Sequence, residues 1–312
     1  MALDWIKVSF SVRQGFWLRP KLILEGIDLS VPGGSITGLV GPNGAGKTTT
    51  IKLGAGLISP TSGQVLIQGR KASEAGAKEH LGLLTEIQYT YPHLRLREWL
   101  DMLAGLSGLK GSGRTHGVDH ALDIVDLRGQ ADQMMGTLSK GQIQRAGLAQ
   151  AFLHKPSILL LDEPMSGLDP YWRYCVQHIL QGFKSGGGTI LFSSHILSDV
   201  ERLCDRVALI KKGCIQWTGR LADLPRETRG YEVICRVENP DLLKQIAPEG
   251  KAEALPTGEW HVSIPVDQKE EVLWLVSAGK ITLESLLPIQ DEIEDVIFGF
   301  SSDSNRAGQR CI

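Results

Sequence analysis

The sequence of 312 residues has few cysteines and no excess of basic side chains. Its five cysteines are widely spaced and include no CxxC pair, which argues against a zinc site or a disulfide framework. Lys and Arg number 33 against 35 Asp and Glu, so no positive excess is available to neutralise nucleic-acid phosphates. We therefore predict no nucleic-acid partner.

Long apolar runs are also missing. Among the longest are 158–161 and 272–276, which fall far short of the ~20 residues that a membrane-spanning helix requires. The first residues, MALDWIKVSF, contain neither the basic segment nor the apolar segment of a secretory signal. These absences predict a protein that stays in the cytoplasm.

What the chain does have is an alternation of strand-like and helix-like patterns over residues 1–220. Apolar runs of strand length lie at 35–40, 65–67, 81–84, 158–161, 189–192 and 207–210. Helical patterns such as 171–183 and 196–204 lie between them. Because such an alternation gives a mostly parallel sheet covered on both faces, we predict an α/β fold for this part.

Two stretches depart from this alternation. Residues 5–10 and 22–31 alternate apolar and polar side chains, which predicts half-exposed antiparallel strands. The segment from 87 to 150 has a mostly helical pattern and is predicted to be a helical insertion in the α/β core.

A polar stretch at 221–228 predicts a linker to a second domain at 229–300. The pattern there is strand, helix (240–246), strand, strand, helix and strand, with a last helix at 290–298. This order indicates a small α+β domain of ferredoxin-like type. Trp260 and Trp274 are expected to fill its core. The polar residues 301–312 are expected to form a flexible tail.

Residues 41–48, GPNGAGKT, fit the pattern G-x-x-x-x-G-K-[ST] between a predicted strand and a predicted helix. Glycines in such a P-loop let successive backbone N–H groups and the helix N-terminus surround phosphate oxygens. Lys47 would reach the β- and γ-phosphates, and Thr48 would ligate Mg²⁺. The predicted nucleotide contacts are Gly41, Pro42, Asn43, Gly44, Ala45, Gly46, Lys47, Thr48 and Thr49.

The buried-strand pattern at 158–161 ends in two carboxylates, Asp162 and Glu163. In a doubly wound sheet, the carboxyl end of this strand would lie beside the P-loop. Asp162 would then bind Mg²⁺ through water, and Glu163 would orient and polarise an attacking water. A strand end followed by a solvated acidic turn is the simpler alternative.

Residues 138–142, LSKGQ, open a predicted helix. A serine and a glycine at a helix N-terminus can form an anion site from a hydroxyl, backbone N–H groups and the helix dipole. The alternative is a helix cap, since serine is a favoured N-cap residue.

The P-loop lysine, this helix start and the acidic strand end occur in the order 47, 139, 162, which resembles the nucleotide-binding subunits of ABC transporters. Residues 138–142 resemble the signature motif of that family, 166–169 its D-loop, and His195 its switch histidine. The resemblance implies a P-loop NTPase core of RecA-like type, with an antiparallel β subdomain and a helical insertion. It also implies hydrolysis of ATP with Mg²⁺, with Glu163 and His195 as catalytic residues.

The resemblance further implies a homodimer in which each ATP lies between the P-loop of one subunit and the signature helix of the other. Ser139, Gly141 and Gln142 would contact the nucleotide held by the other subunit, and Asp169 of the D-loop would lie at the same interface. Hydrolysis would then depend on positioning and charge neutralisation, and both subunits would need to close.

Two positions depart from the family pattern. Glu86 stands at the Q-loop position, where the family often has Gln; a carboxylate can still ligate Mg²⁺ or its water, and Gln88 is the alternative. Val12 stands where an adenine-stacking Tyr is usual. Phe16 or Trp17 is expected to supply the ring; the alternative is that both pack on the core or on a membrane partner.

Lys140, Glu86 and the segment 292–298, EIEDVIF, resemble one branch of the family, the ATPase subunits of bacterial type-2 exporters. Membership in this branch implies a separate integral membrane permease subunit and a peripheral position on the cytoplasmic side of the inner membrane. The permease is expected to dock at the start of the helical insertion, with Tyr91 and His93 as the preferred contacts. A soluble ABC ATPase without a transport role is the alternative function.

Overall fold

The computed structural model describes residues 1–14, 19–224, 228–237, 239, 242–243, 247 and 252–290. Contacts between Cα atoms divide the chain into two compact units, Met1–Leu224 and Pro225–Gly308, and each is described by itself.

Several sequence predictions lie outside the described residues. They concern the aromatic pair Phe16 and Trp17, most of the helix predicted at 240–246, the helix predicted at 290–298 beyond its first residue, and the tail at 301–312.

The described part of the first unit contains ten strands, which are named here in chain order. They are β1 (Leu3–Gln14), β2 (Arg19–Val31), β3 (Ile36–Val40), β4 (Ser62–Ile67), β5 (Arg70–Lys71), β6 (Leu81–Leu84), β7 (Ile158–Asp162), β8 (Thr189–Ser194), β9 (Arg206–Lys211) and β10 (Cys214–Arg220).

The central sheet of this unit has six strands in the order β10-β9-β3-β8-β7-β6. Its strands are parallel except for β10, which pairs antiparallel with β9 at one edge. Every residue of β3, β7 and β8 is buried, as both faces of a parallel sheet are covered. Because β3 and β7 both run parallel to β8, their carboxyl ends lie at the same edge of the sheet. The P-loop follows β3, while Asp162 ends β7 and Glu163 follows it.

The helices of the first unit cover this sheet and form the helical insertion. They are α1 (Lys47–Gly54), α2 (Leu96–Leu106), α3 (Gly111–Ile124), α4 (Lys140–Phe152), α5 (Pro170–Ser185) and α6 (Leu197–Leu203). Helices α2, α3 and α4 pack on one another. In α2 the buried side chains Leu96, Trp99, Leu100 and Ala104 recur at helical spacing and so form one inward face.

An antiparallel sheet, in the order β2-β1-β4-β5, packs against the helix that follows the P-loop. Its central contact is Trp5, which is 1% exposed and donates an indole hydrogen bond to the carbonyl oxygen of Thr50, 3.2 Å away. The apolar core continues from this sheet through Ile51 of α1 to Leu160 and Leu191 of the central sheet. The position of the P-loop helix is therefore determined from both sides.

The described part of the second unit is a four-stranded antiparallel sheet with one helix. Its elements are β11 (Thr228–Val237), β12 (Ala252–Ala254), β13 (Trp260–Pro265), α7 (Lys269–Ser277) and β14 (Ile281–Gln290), and the strand order is β12-β13-β11-β14. Val233, Val262, Val272 and Leu275 are fully buried and form the centre of its core.

Two sequence predictions in this unit were wrong in detail. Trp274 does not fill the core: it is 54% exposed, and the Lys280 ammonium lies 4.8 Å from its ring centroid. The inward face of α7 is occupied by Val272 and Leu275 instead, while Trp260 packs against the core as expected. Strand β14 also continues to Gln290, so this residue ends a strand and does not begin a helix. Across the described residues of both units, no helix is long and apolar enough to span a membrane.

Candidate nucleotide site

The P-loop connects the buried strand β3 to helix α1 through a tight turn. Gly46, the residue before α1, has a φ of 111°, a conformation that side-chain-bearing residues rarely adopt. A Cβ at this position would also lie only 2.4 Å from Cδ2 of Leu24 in the antiparallel sheet. Glycine is therefore required here both by the backbone conformation and by the close packing of the sheet.

A cavity of about 450 Å³ lies over the P-loop and the start of α1. This volume is within the range of small-molecule sites. The lining residues from the P-loop are Pro42, Asn43, Gly44, Gly46, Lys47, Thr48 and Thr49. The other lining residues are Lys21 and Ile23 from β2, Glu86 and Glu163. Of the predicted P-loop contacts, Gly41 and Ala45 lie outside this lining.

Lys47 is a nearly buried cation at the floor of the cavity. Its ammonium donates a hydrogen bond of 2.7 Å to the carbonyl oxygen of Gly41 and lies 3.5 Å from Oε1 of Glu163. The side chains of Lys47 and Glu163 are only 7% and 11% exposed. Buried charges of opposite sign at this distance stabilise each other, so the predicted phosphate-binding lysine and the predicted base are in one site.

A serine that the sequence analysis did not identify joins the two acidic residues. Ser193 of β8 pairs with Asp162 in the parallel register, and its hydroxyl donates to Oδ1 of Asp162 at 2.6 Å. The same hydroxyl accepts the Glu163 backbone N–H at 2.9 Å. The sequence does show a serine near the end of the strand that neighbours β7. Recognising that this serine meets Asp162, however, required the strand order and the register of β7 and β8.

Glu163 is held by further contacts from two directions. Nδ1 of His195, a residue that follows β8 and is 47% exposed, lies 2.9 Å from Oε2 of Glu163. From the other side, the Gln144 side-chain amide donates to the carbonyl oxygens of Glu163 and Pro164, both at 3.1 Å. Gln144 was not identified from the sequence either, because its partners lie in the segment after β7, which only tertiary packing brings next to α4.

The backbone of Glu163 is itself unusual, with a φ of 50°. Non-glycine residues in this left-handed region cost free energy and occur where surrounding contacts enforce them. The hydrogen bonds from Ser193 and Gln144 supply that enforcement. The arrangement turns the chain sharply after Asp162 and aims the Glu163 carboxylate at Lys47.

The two candidate Q-loop residues lie in different surroundings. Glu86 is exposed and lines the cavity. The Gln88 side chain donates to the carbonyl oxygen of Thr85 and packs on Gly147 of α4, where a Cβ would lie 2.5 Å from Gln88 Cδ. Of the two, Glu86 is thus the residue that can reach a ligand in the cavity.

The signature-like residues begin α4 and do not line this cavity. Ser139 is the N-cap of α4: its Oγ accepts the Gln142 backbone N–H at 3.2 Å, and its own N–H donates to Gln142 Oε1 at 2.8 Å. Within one chain, the side chains of Ser139 and Gln142 therefore form a reciprocal capping box at the start of α4.

The D-loop residues lie beside the signature residues. A Cβ at Gly141 would lie 3.7 Å from the carbonyl oxygen of Gly167 and from Cδ2 of Leu168. Asp169 is exposed and caps α5, since its Oδ1 accepts the Trp172 backbone N–H at 2.8 Å. One chain therefore has two groups of predicted nucleotide contacts, one in the P-loop cavity and one on the surface formed by the starts of α4 and α5.

Comparison with known proteins gives a consistent result. A family model described as ABC transporter matches residues 24–166. An uncharacterized ABC transporter ATP-binding protein of Nostoc sp. is 39% identical over 258 residues, which cover 82% of this chain and 76% of that protein. A Nod factor export ATP-binding protein I of Burkholderia pseudomallei is 35% identical over 233 residues, or 73% of this chain and 76% of that protein.

A solved structure supports the same relationship. The ATP-binding subunit of an ABC transporter superposes with a TM-score of 0.64 at 29% identity, over 72% of this chain and 92% of that one. Together with the P-loop cavity and the Lys47–Glu163–His195 contacts, these relationships show that the chain belongs to the ATP-binding proteins of ABC transporters.

Proposed function

We propose that this ABC ATPase powers an exporter whose membrane-spanning subunit is a separate chain. The observation that carries the proposal is the convergence of Lys47 and His195 on the Glu163 carboxylate beside the P-loop cavity. The similarity to a Nod factor export ATP-binding protein supports the exporter branch over other ABC transporters. The presence of Lys140 and Glu86 at branch-typical positions supports it as well.

The cavity residues have distinct roles in this proposal. The N–H groups of the P-loop and the start of α1 bind the phosphates, and Lys47 neutralises the negative charge on the β- and γ-phosphates. Glu163 orients and polarises the attacking water and accepts its proton. His195 contacts Glu163 through Nδ1, and in this proposal its other ring nitrogen hydrogen-bonds the γ-phosphate.

The residues around the cavity also fit Mg²⁺. Thr48 and Glu86 line the cavity, whereas Asp162 lies outside its lining and is 2% exposed. Together they offer a hydroxyl and two carboxylates, the oxygen ligands that Mg²⁺ prefers. Among the described residues, no group of three or more His, Cys, Asp or Glu side chains could hold a metal ion alone. This matches an ion that takes its remaining ligands from phosphate and water. Bound there, Mg²⁺ would neutralise charge on the β- and γ-phosphates.

The remaining predicted contacts would bind the ATP that a second copy of the chain holds. We propose a homodimer in which Ser139, Gly141 and Gln142 of one subunit contact the ATP bound at the other subunit's P-loop. Asp169 lies in the adjacent D-loop. Ser139 and Asp169 are exposed, and none of these four residues lines the chain's own cavity, which supports a composite site of this kind.

Ser193→Ala is expected to lower ATP turnover about tenfold and the free energy of unfolding by about 1–2 kcal/mol. The substitution leaves the Asp162 carboxylate and the Glu163 N–H without their shared hydroxyl. Phosphate release and chemical denaturation would measure the two effects. Thr37→Val is the matched control, since the Thr37 hydroxyl is buried in the neighbouring strand β3 and has no partner among the described residues. Turnover in Ser193→Ala equal to that of this control would contradict the role.

The start of the helical insertion offers a surface for the membrane subunit. Ile87, Tyr89 and Tyr91 are 65%, 87% and 51% exposed, and the Tyr91 ring lies edge-on to His93 with centroids 6.0 Å apart. Exposed apolar and aromatic side chains that cluster in this way are typical of protein interfaces. We propose that the permease docks here, which would hold the chain on the cytoplasmic face of the membrane.

An affinity pull-down tests this partner. The tagged chain should recover an integral membrane protein with several apolar spans from detergent-solubilised membranes, as identified by mass spectrometry. The double variant Tyr91→Ala, His93→Ala should lose that protein while its ATP turnover stays unchanged, and Tyr174→Ala, at an exposed tyrosine of α5, should retain it. Recovery of soluble proteins alone, with ATP turnover intact, would favour a soluble ABC ATPase without a transport role.

A further inference from the structure

Arg145 is a buried cation in α4, at a position that the proposed nucleotide contacts do not use. Its residue is 8% exposed, and its guanidinium lies 3.6 Å from the ring centroid of Trp172 in α5. A guanidinium over the face of an indole is attracted by the ring quadrupole, and this attraction increases when both groups are shielded from water. The stack therefore joins α4 directly to α5.

The same guanidinium also binds the end of α3. One of its terminal nitrogens donates to the carbonyl oxygens of Val125 and Asp126, at 3.1 and 3.3 Å. These carbonyls lie just after the last residue of α3, where the helix dipole favours a cation. Burial lowers the pKa of the Arg145 guanidinium, and the carboxylates of Asp126 and Asp169 act in the opposite direction. Three helices thus meet at one side chain.

The two stacked residues lie close to the surface that the proposal assigns to the other subunit's ATP. Arg145 is six residues after Ser139, which corresponds to about 9 Å along the helix axis. Trp172 is the residue whose N–H is accepted by Asp169 at the start of α5. Lys140 packs beside Gly167, where a Cβ would lie 3.1 Å from Lys140 Cε. A shift of α4 against α5 would therefore change the spacing between signature and D-loop residues.

We propose that the stack of Arg145 on Trp172 is a positioning device that holds the signature residues and the D-loop in the relative arrangement needed for hydrolysis. The inference rests on the proposed composite site. Neither residue touches the nucleotide in this scheme: each acts through the helix start that it secures. Small displacements of positioning groups reduce the rate at which a bound substrate reacts. Loss of the stack therefore lowers turnover but leaves the affinity of the P-loop for ATP unchanged.

The test compares Trp172→Ala, Trp172→Phe and Arg145→Lys in the full chain. Trp172→Ala removes the ring, Trp172→Phe keeps an aromatic face, and Arg145→Lys keeps the charge but loses the planar group that stacks and binds both carbonyls. Tyr174→Ala is the matched control, because it removes an exposed aromatic ring from the same helix, one that contacts only His178 edge-on among the ring contacts of the described residues. Each variant is measured for thermal unfolding, for ATP affinity by titration and for kcat and KM by phosphate release.

We expect Trp172→Ala and Arg145→Lys to lower kcat about tenfold or more while ATP affinity stays within about twofold of the wild type. Trp172→Phe should recover more than about half of the wild-type kcat, and Tyr174→Ala should match the wild type. If Trp172→Ala does not fold, Arg145→Lys and Trp172→Phe decide the question by the same criteria.

Three results would overturn the proposal. The first is a kcat within about twofold of the wild type in Trp172→Ala and Arg145→Lys. The second is a loss of kcat in Trp172→Phe as large as that in Trp172→Ala. The third is a parallel loss of ATP affinity and kcat, which indicates general damage to the fold. Failure of the proposed function is separate and visible in the same assay. It would appear as an inactive wild type, or as wild-type turnover in a Glu163→Gln variant.

Discussion

Glu163→Gln is expected to slow ATP hydrolysis by about 100-fold or more while ATP binding persists. The amide has nearly the shape of the carboxylate but cannot accept a proton from the attacking water. Ser193 and Gln144 bind the backbone of residue 163 and would hold it in place in the variant. Steady-state phosphate release and an ATP titration measure the two quantities.

A matched control for this variant is Glu270→Gln, the same chemical change at an exposed position of α7 in the second unit. It should hydrolyse ATP at the wild-type rate. Near wild-type turnover in Glu163→Gln would remove the assignment of Glu163 as the base. The same variant also tests the composite site, because ATP without hydrolysis should keep it dimeric in light scattering, whereas ADP should leave it monomeric.

Lys47→Ala is expected to weaken ATP binding by about 1.5–3 kcal/mol, or roughly 10- to 150-fold in Kd. The ammonium is the cation at the floor of the cavity, and its removal leaves phosphate charge without a partner. The Gly41 carbonyl that it binds in this structure would also lose its donor. Titration with a fluorescent ATP analogue measures the affinity, and thermal unfolding shows whether the variant folds.

The control for Lys47→Ala lies on the same helix. Lys52 is exposed in the last turn of α1 and does not line the cavity, so Lys52→Ala should bind ATP as the wild type does. Unchanged affinity in Lys47→Ala, or an equal loss in both variants, would contradict the role of Lys47.

The parts of the site that were predictable from the sequence are those in which one short segment determines both shape and chemistry. Residues 41–49 form their loop locally, through glycine and the helix start, and most of them line the cavity as expected. The approach of Asp162 and Glu163 to that loop follows from the order of buried strands. The assignment of His195 to the site came only from the family resemblance, and its contact with Glu163, 32 residues away in the sequence, was not predicted.

The parts that were not predictable depend on tertiary register and on which face of a helix is buried. Ser193 meets Asp162 because β7 and β8 pair in one particular register, which the alternation of strands does not specify. Gln144 reaches the chain after β7 through the packing of α4. Trp274 was expected inside the second unit on residue type alone, but Val272 and Leu275 occupy the inward face of its helix.

The capping box at the start of α4 has a consequence for how a subunit behaves alone. Ser139 and Gln142 satisfy each other's polar groups within one chain, so neither side chain is left without a partner at this helix start. Two copies that meet without ATP would then gain little free energy from these residues, because the exchange would replace satisfied hydrogen bonds with others of equal number. In the proposed homodimer, bound ATP would therefore supply much of the free energy of association, and the two subunits would separate again after hydrolysis at the same subunit concentration.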